Sequence, residues 1–348
     1  MEPRVHPGEP LTRTRLLAWT LALGAALALS VLAGVAWGTG SLTLADLLPG
    51  ARPLSDEARA VFFDVRLPRV LAAAVLGGAL TVAGVVFQAL LRNPLADPYV
   101  LGVSGGASIG GVLALVLGFG GAASLLGGLA VPAFAFLGAL GALFLIEWVA
   151  TVGGKLTVYT ILLTGAIFNA FAAALIYFIQ TIASLEQLHA IVFYLMGSIP
   201  LLGYRGVGLL AAASLLAAVA LLSMARDYNA LTIGEEGAAQ LGVDVERIKR
   251  RTFVLGSLLT GLAVSVAGLI GFVGLVVPHL LRLLLGPDHR LLLPAAFLGG
   301  GSFLVLADLV ARVAVAPGEL PVGVVTALVG GPFFLYLLRR RGARYEFS

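Results

Sequence analysis

The sequence predicts an all-α membrane protein, a polytopic bundle of about ten transmembrane helices. Three observations carry that class. Of the 348 residues, 59% are hydrophobic and 11% charged, and mean hydropathy is +1.03, so one water-soluble core cannot hide the apolar surface. The apolar stretches run for about 17–25 residues without the period-two alternation that the lipid-facing strands of a barrel require. The chain carries 45 glycines and 16 prolines, and small residues let bilayer helices approach one another closely. Cysteine is absent, which excludes disulfides and thiolate metal sites. The net charge of +4 points to no nucleic acid, because the cations lie between apolar runs rather than in one patch.

Apolar runs are expected at 16–36, 67–91, 99–117, 129–150, 158–182, 204–225, 252–271, 273–286, 291–312 and 321–338. A single helix over 252–286 would be about 52 Å long at about 1.5 Å per residue, too long for a hydrocarbon core of about 30 Å. That stretch therefore reads as a hairpin with a short second arm. An even number of spans places the N-terminus and Arg339, Arg340 and Arg341 on one side. With that side cytoplasmic, 16 of the 22 Lys and Arg fall inside and 6 outside, as the positive-inside rule requires. The first run is preceded by Arg13 and Arg15 and is long for a signal-peptide core, so it reads as a retained span. Residues 187–202, ending in Gly197 and Pro200, read as an outer-surface or re-entrant helix. No linker divides residues 1–348, so one transmembrane domain is expected, with 1–15 a cytoplasmic tail and 226–251 a cytoplasmic loop.

Several short patterns carry more local expectations. Thr81-Val-Ala-Gly84 and Ser265-Val-Ala-Gly268 echo each other in spans of opposite direction, as in transporters with inverted repeats. Gly102, Gly106 and Gly110 form a bare stripe suited to close helix packing. The turn 92–98, RNPLADP, holds two prolines that bias their predecessors away from helix, and Asn93 can satisfy backbone groups freed there. Lys155-Leu-Thr157 suggests a second inner turn, with Thr157 as N-cap. Within 226–251, Thr232 and Glu235 have capping-box spacing, Gly242 suits a helix end, and Asp244 can cap a second short helix leading to Arg247, Lys249, Arg250 and Arg251. Two small helices that dock a cytoplasmic partner are expected there.

On the outer side, Arg66, Arg69 and Arg312 run against the charge bias. They either snorkel from helix ends or receive carboxylates of a soluble partner, and Asp308 lies one turn before Arg312. The histidines at 6, 189, 279 and 289 are scattered, and no catalytic constellation is readable. Gly153-Gly-Lys155-Leu-Thr157 is no phosphate loop, because no Ser or Thr directly follows the lysine. Any ATP that drives this protein is expected to be hydrolysed by another chain.

From about residue 16 to 338 the sequence resembles the permeases of type II ABC importers, the FecCD family, which take up cobalamin, haem and ferric siderophores. The resemblance rests on Arg66-Leu-Pro-Arg69, on QALLRNPLADP from Gln88 to Pro98, and on Leu101-Gly-Val-Ser104. It continues through Gly234-Glu235 with Ala238 and Leu241-Gly242, GFVGLVVPHLLR from Gly271 to Arg282, and Asp288-His-Arg290. The last pieces are Ala307-Asp308 with Ala311-Arg312, and Glu319-Leu-Pro-Val-Gly323.

The resemblance implies the type II importer fold, a dimer of two permeases with a homodimer favoured, and a path along the shared axis in the inner membrane of a bacterium. It implies two cytoplasmic ATPase subunits, a periplasmic or lipoprotein-anchored binding protein, and no cofactor bound by this chain. It also assigns ATPase coupling to Gly234, Glu235, Ala238, Leu241 and Gly242. Arg66, Arg69 and Arg312 would dock the binding protein, and Asn93, Leu95 and Thr157 would form a cytoplasmic gate. A secondary carrier is the alternative, but Glu147 and Asp308 lie near span ends rather than at midplane. An intramembrane enzyme would lack its catalytic residues.

Overall fold

The computed structural model describes residues 11–38, 55–119 and 127–341. The first ten residues of the expected tail, 1–15, lie outside that range. The expected spans correspond in order to α1 (Arg13–Ala36), α3 (Leu67–Leu90), α4 (Val103–Val116), α5 (Ala130–Ala150), α6 (Val158–Ile182) and α8 (Tyr204–Ser223), then α11 (Val245–Ala267), α12 (Val273–Leu285), α13 (His289–Val313) and α14 (Val322–Arg341). Shorter helices intervene: α2 (Asp56–Ala60), α7 (Leu185–Met196), α9 (Ala225–Leu231) and α10 (Glu235–Gln240). A two-residue hairpin pairs Thr151 with Leu156 and Val152 with Lys155. By length and composition, α1, the α2–α3 helix, α5, α6, α8 and α13 can each cross a membrane, while α4, α7, α12 and residues 322–337 are shorter apolar helices.

The helix α3 is the pillar. In its most apolar 18-residue window 83% of positions are buried, against 6% in α1, so α1 is peripheral and leans on α13. Around α3 pack α11, α12 and α13, and α4 packs on α5. The expected glycine stripe serves that last contact: a Cβ at Gly106 or Gly110 would run into the backbone carbonyl of Gly138 or Phe134. The two glycines of the echoed tetrapeptide also sit at close backbone approaches, Gly84 against Gly274 and Gly268 against Tyr194.

Several boundaries differ from expectation. The second span begins at Asp56, eleven residues earlier than residue 67, because Ser55 caps it by accepting from Ala58 N–H and no helix breaker follows before Pro68. A π-helical segment, Val61–Arg66, leads into that proline, and Leu67 N–H donates to Phe62 O, five residues back. The second small inner helix expected after Asp244 is not separate. Asp244 accepts from Arg247 N–H and caps α11, which runs unbroken into the bundle because no Gly or Pro interrupts it until its middle. The Thr232–Glu235 capping box is also absent: Gly234 is the N-cap of α10, and the Thr232 hydroxyl donates instead to Asn229 O at 2.6 Å. Thr157 does hold the N-cap position of α6, but its side chain makes no cap bond.

Between α11 and α12 the backbone is irregular over 268–272, with Gly268 at φ 70° and Phe272 at φ 68°. Several of its polar groups find partners within the chain, as apolar surroundings favour. The Tyr99 hydroxyl donates to Ile270 O and accepts from Ile270 N–H, both at 3.0 Å. Ser198 N–H donates to Ala267 O at 2.8 Å and Gly323 N–H to Gly197 O at 3.2 Å, so the end of α7 and the start of α14 meet this link.

Candidate functional site

Polar chemistry gathers at the two ends of the bundle. The basal end carries α9, α10, the 151–156 hairpin and the 92–98 turn; the apical end carries Arg66, Arg69 and Arg312.

At the apical end the three predicted arginines, from different elements, lie together, and two of them, Arg69 and Arg312, converge on one carboxylate. Asp308 is fully buried and takes Arg69 Nη2 at 3.0 Å and Arg312 Nε at 2.9 Å. Arg69 also reaches Glu319 at 2.8 Å. Arg312 donates to the carbonyls of Gly34 at 2.7 Å and Trp37 at 3.3 Å, and Arg66 to that of Val35 at 3.4 Å. These carbonyls belong to the C-terminal turn of α1, whose last acceptors have no partner within the helix. The guanidiniums therefore cap α1 and bind it to α3 and α13. Arg66 and Arg312 are buried, while Arg69 keeps 13% of its side chain exposed. Among the described residues, the carboxylates that meet these guanidiniums are Asp308 and Glu319. Sequence reasoning found Asp308 from its spacing to Arg312 but gave Glu319 no role.

The predicted inner turn is built as its sequence suggests. Asn93 N–H donates to Gln88 O at 3.1 Å, and the Asn93 carboxamide accepts from Leu95 N–H at 2.9 Å. Asn93 is exposed and Leu95 half-buried. Thr157 is exposed on the other turn, where its N–H donates to Ala150 O at 3.2 Å.

The predicted coupling residues divide into two faces. Ala238 is fully buried in the chain's own core, and Glu235 turns inward to Lys249 Nζ at 3.1 Å. Outward lie Ile233, 70% exposed, and Leu241, 66% exposed, with Glu236, Ala239 and Gln240 between them. Gly242 ends the helix at φ 86°, a backbone conformation that glycine adopts without strain. Lys249 also meets Glu246 at 2.7 Å. Burial disfavours its ammonium, but the bonds to Glu246 and Glu235 outweigh that and raise its pKa above the ordinary range.

A second basal cluster went without a role in the sequence reading. Asn229 of α9 donates to Asp288 Oδ1 at 2.8 Å and accepts at Oδ1 from His289 N–H at 2.9 Å. The same oxygen lies 2.8 Å from His289 Nδ1, so that nitrogen carries the proton. Asp288 caps α13 and grips Arg290 at 2.6 Å. Burial pushes the Asp288 carboxyl up, but the bonds from Arg290 and Asn229 hold it down at about 2. The Tyr228 and Thr252 hydroxyls, 2.9 Å apart, tie α9 to α11. Asn229 carried no recognisable spacing signal; the Asp288-His-Arg290 motif did. Among the described residues no group of three or more His, Cys, Asp or Glu is placed to hold a metal ion.

The profile of the FecCD transport family matches residues 23–340. The hemin transport system permease protein HmuU of Yersinia pestis is 40% identical over 98% of both chains. The cobalamin import system permease protein BtuC of Halobacterium salinarum is 41% identical, covering 89% of this chain and 81% of its own length. The ABC transporter permease protein YvrB of Bacillus subtilis, described as uncharacterized, is 45% identical over 82% and 80% of the two chains. Among solved structures, a metal-chelate type ABC transporter in an inward-facing conformation superimposes with a TM-score of 0.82 at 32% identity, covering 93% of this chain and 99% of that one. With a helix order that follows the expected spans and a match that runs nearly end to end, this chain belongs to the FecCD transport family.

Proposed function

We propose that this chain is the membrane-spanning permease subunit of an ATP-driven importer for a metal chelate of the cobalamin, haem or ferric-siderophore type. The observation that carries the reading is α10: a short helix outside the membrane, anchored inward through Glu235 and Ala238, that presents Ile233 and Leu241 to solvent. An exposed apolar pair on an anchored helix suits a protein partner. That partner is an ATPase, two copies of which serve a pair of permeases, and Gly234 and Gly242 bound the segment that docks in it.

In this reading the basal end is cytoplasmic and both termini lie there, in a bacterial inner membrane. Asn93, Leu95 and Thr157 narrow the inner end of a path shared with a second copy of the chain. The apical arginines receive carboxylates of a substrate-binding protein. Arg69 is the member that reaches the surface, and a partner carboxylate would compete with Glu319 for it. The named transport roles of the haemin and cobalamin relatives support the substrate class.

An ion-gradient carrier finds no support at the acids it would need, because Glu147 is committed to Arg250 at 2.9 Å and Asp308 to two arginines. The test is reconstitution in proteoliposomes with the ATPase and the binding protein, measuring uptake of cyanocobalamin, haem and ferric hydroxamates. ATP-dependent uptake of one of these is expected, with no ATP hydrolysis by the pure permease. Uptake that follows a proton or sodium gradient with the ATPase absent overturns the reading.

A further inference from the structure

A single buried lysine joins the partner-facing helix to one of the two inner turns. Lys249 lies in the second turn of α11, 6% exposed. Its ammonium stands 3.1 Å from Glu235 on α10 and 2.7 Å from Glu246 Oε1. The other oxygen of Glu246, Oε2, accepts the backbone N–H of Leu156 at 2.8 Å. Leu156 is buried, closes the 151–156 hairpin and directly precedes Thr157. A parallel tie, Arg250 Nε to Glu147 Oε1 at 2.9 Å, fixes α11 to the end of α5, from which that hairpin springs.

The bland reading is that the triad only stabilises the basal end. Buried ion pairs make poor stabilisers, since apolar replacements of like volume are often neutral or better, but they fix the relative placement of the elements that carry them. Here one cation is shared by carboxylates on α10 and on α11, and the second of these holds the hairpin through a charge-assisted bond. Without the cation, Glu235 and Glu246 would repel across the α10–α11 contact. A displacement of α10 would then no longer carry the hairpin with it.

We propose that Lys249 is a positioning residue that locks α10 to the Thr157 turn, so that movement of the partner-facing helix is delivered to the inner end of the path. The inference rests on the importer reading, which supplies both the partner and the gate. Lys249, Glu246 and Leu156 stand outside the coupling and gate sets already assigned, and they join Glu235 of the first to Thr157 of the second.

The experiment uses the complete complex in nanodiscs, with Thr157→Cys as the one thiol of the permease. Maleimide labelling is measured without nucleotide and after trapping with ATP and vanadate. In the parent the labelling rate should differ between the two states. Lys249→Met should assemble and hydrolyse ATP while the labelling difference falls by at least about fivefold, the lower end of ordinary coupling factors. Lys249→Arg should restore it. Should Lys249→Met fail to assemble, Glu246→Gln, which keeps an acceptor for Leu156 N–H but loses the charge, must show the same loss. A full labelling response in Lys249→Met or Glu246→Gln overturns the proposal, as does an equal loss in Lys249→Arg. An unresponsive parent instead removes the gate reading on which the proposal rests.

Discussion

The apical and basal ends both turn charge inward but leave different groups facing out. At the apical end three guanidiniums are turned inward, onto Asp308, Glu319 and the carbonyls at the end of α1, and the charge is spent on holding helices together. At the basal end the charged groups Glu235, Lys249 and Glu246 are also turned inward, but the helix they anchor leaves Ile233 and Leu241 facing out. The comparison teaches that the charged clusters at both ends hold the chain's own elements together first. Of these two clusters, what faces outward is an apolar pair beside the basal one and the partly exposed Arg69 in the apical one.

The largest effect should come from breaking the apical cluster at its centre. Asp308→Ala leaves Arg69 and Arg312 facing each other without their shared carboxylate, and removal of one member of a buried pair costs about 3–5 kcal/mol. Thermal unfolding of the purified permease should show a large loss of stability, with α1 released from α13 as judged by faster hydrogen exchange at residues 30–37. A variant as stable as the parent would mean that the arginines are not held by this acid.

At the basal end the expectation is the reverse, a loss of partner without a loss of stability. Ile233→Asp with Leu241→Asp removes the two exposed apolar side chains that flank α10 and should reduce recovery of the ATPase in the complex by at least about tenfold, as buried anchors at an interface do. The melting temperature of the permease alone should stay within error. Ala238 is the wrong position for this test, because it is packed inside the chain and bulk there would disturb α10 itself.

The smallest effect concerns docking at Arg69. Arg69→Gln removes the charge of the one arginine of the Arg66, Arg69 and Arg312 set that is not buried, and exposed pairs contribute about 0.2–1 kcal/mol. Binding-protein affinity should fall several-fold at low salt and converge with the parent near 1 M salt, where screening acts within about 3 Å. Identical affinities at low salt would leave these arginines with their internal role alone.

The membrane class, the ten spans and the short arm of the 252–286 hairpin were legible because burial in lipid imposes a length and a composition on each crossing. The α6 limits match to the residue. Residues 56–66 were not legible as part of a helix, because Asp56, Glu57, Arg59 and Asp64 break the apolar run and Pro68 looks like a start. The turn at Asn93 was readable from its prolines and carboxamide. The inward turn of Glu235 and Ala238 was not, since a six-residue helix has too little periodicity to say which side meets the protein.

By itself, then, the sequence determined the membrane class, the order of the apolar helices, where the turns between them fall and which family pattern the chain follows, all of which are local properties of length, hydropathy and backbone preference. Only the tertiary structure decided what the polar residues do. Asp308 lies 239 positions from Arg69, Glu246 lies 90 from Leu156 and Asn229 lies 60 from His289, yet each pair is within hydrogen-bond distance. A charged side chain in a low-dielectric bundle takes the partner that packing brings to it, and that partner is set by the helix arrangement rather than by spacing along the chain.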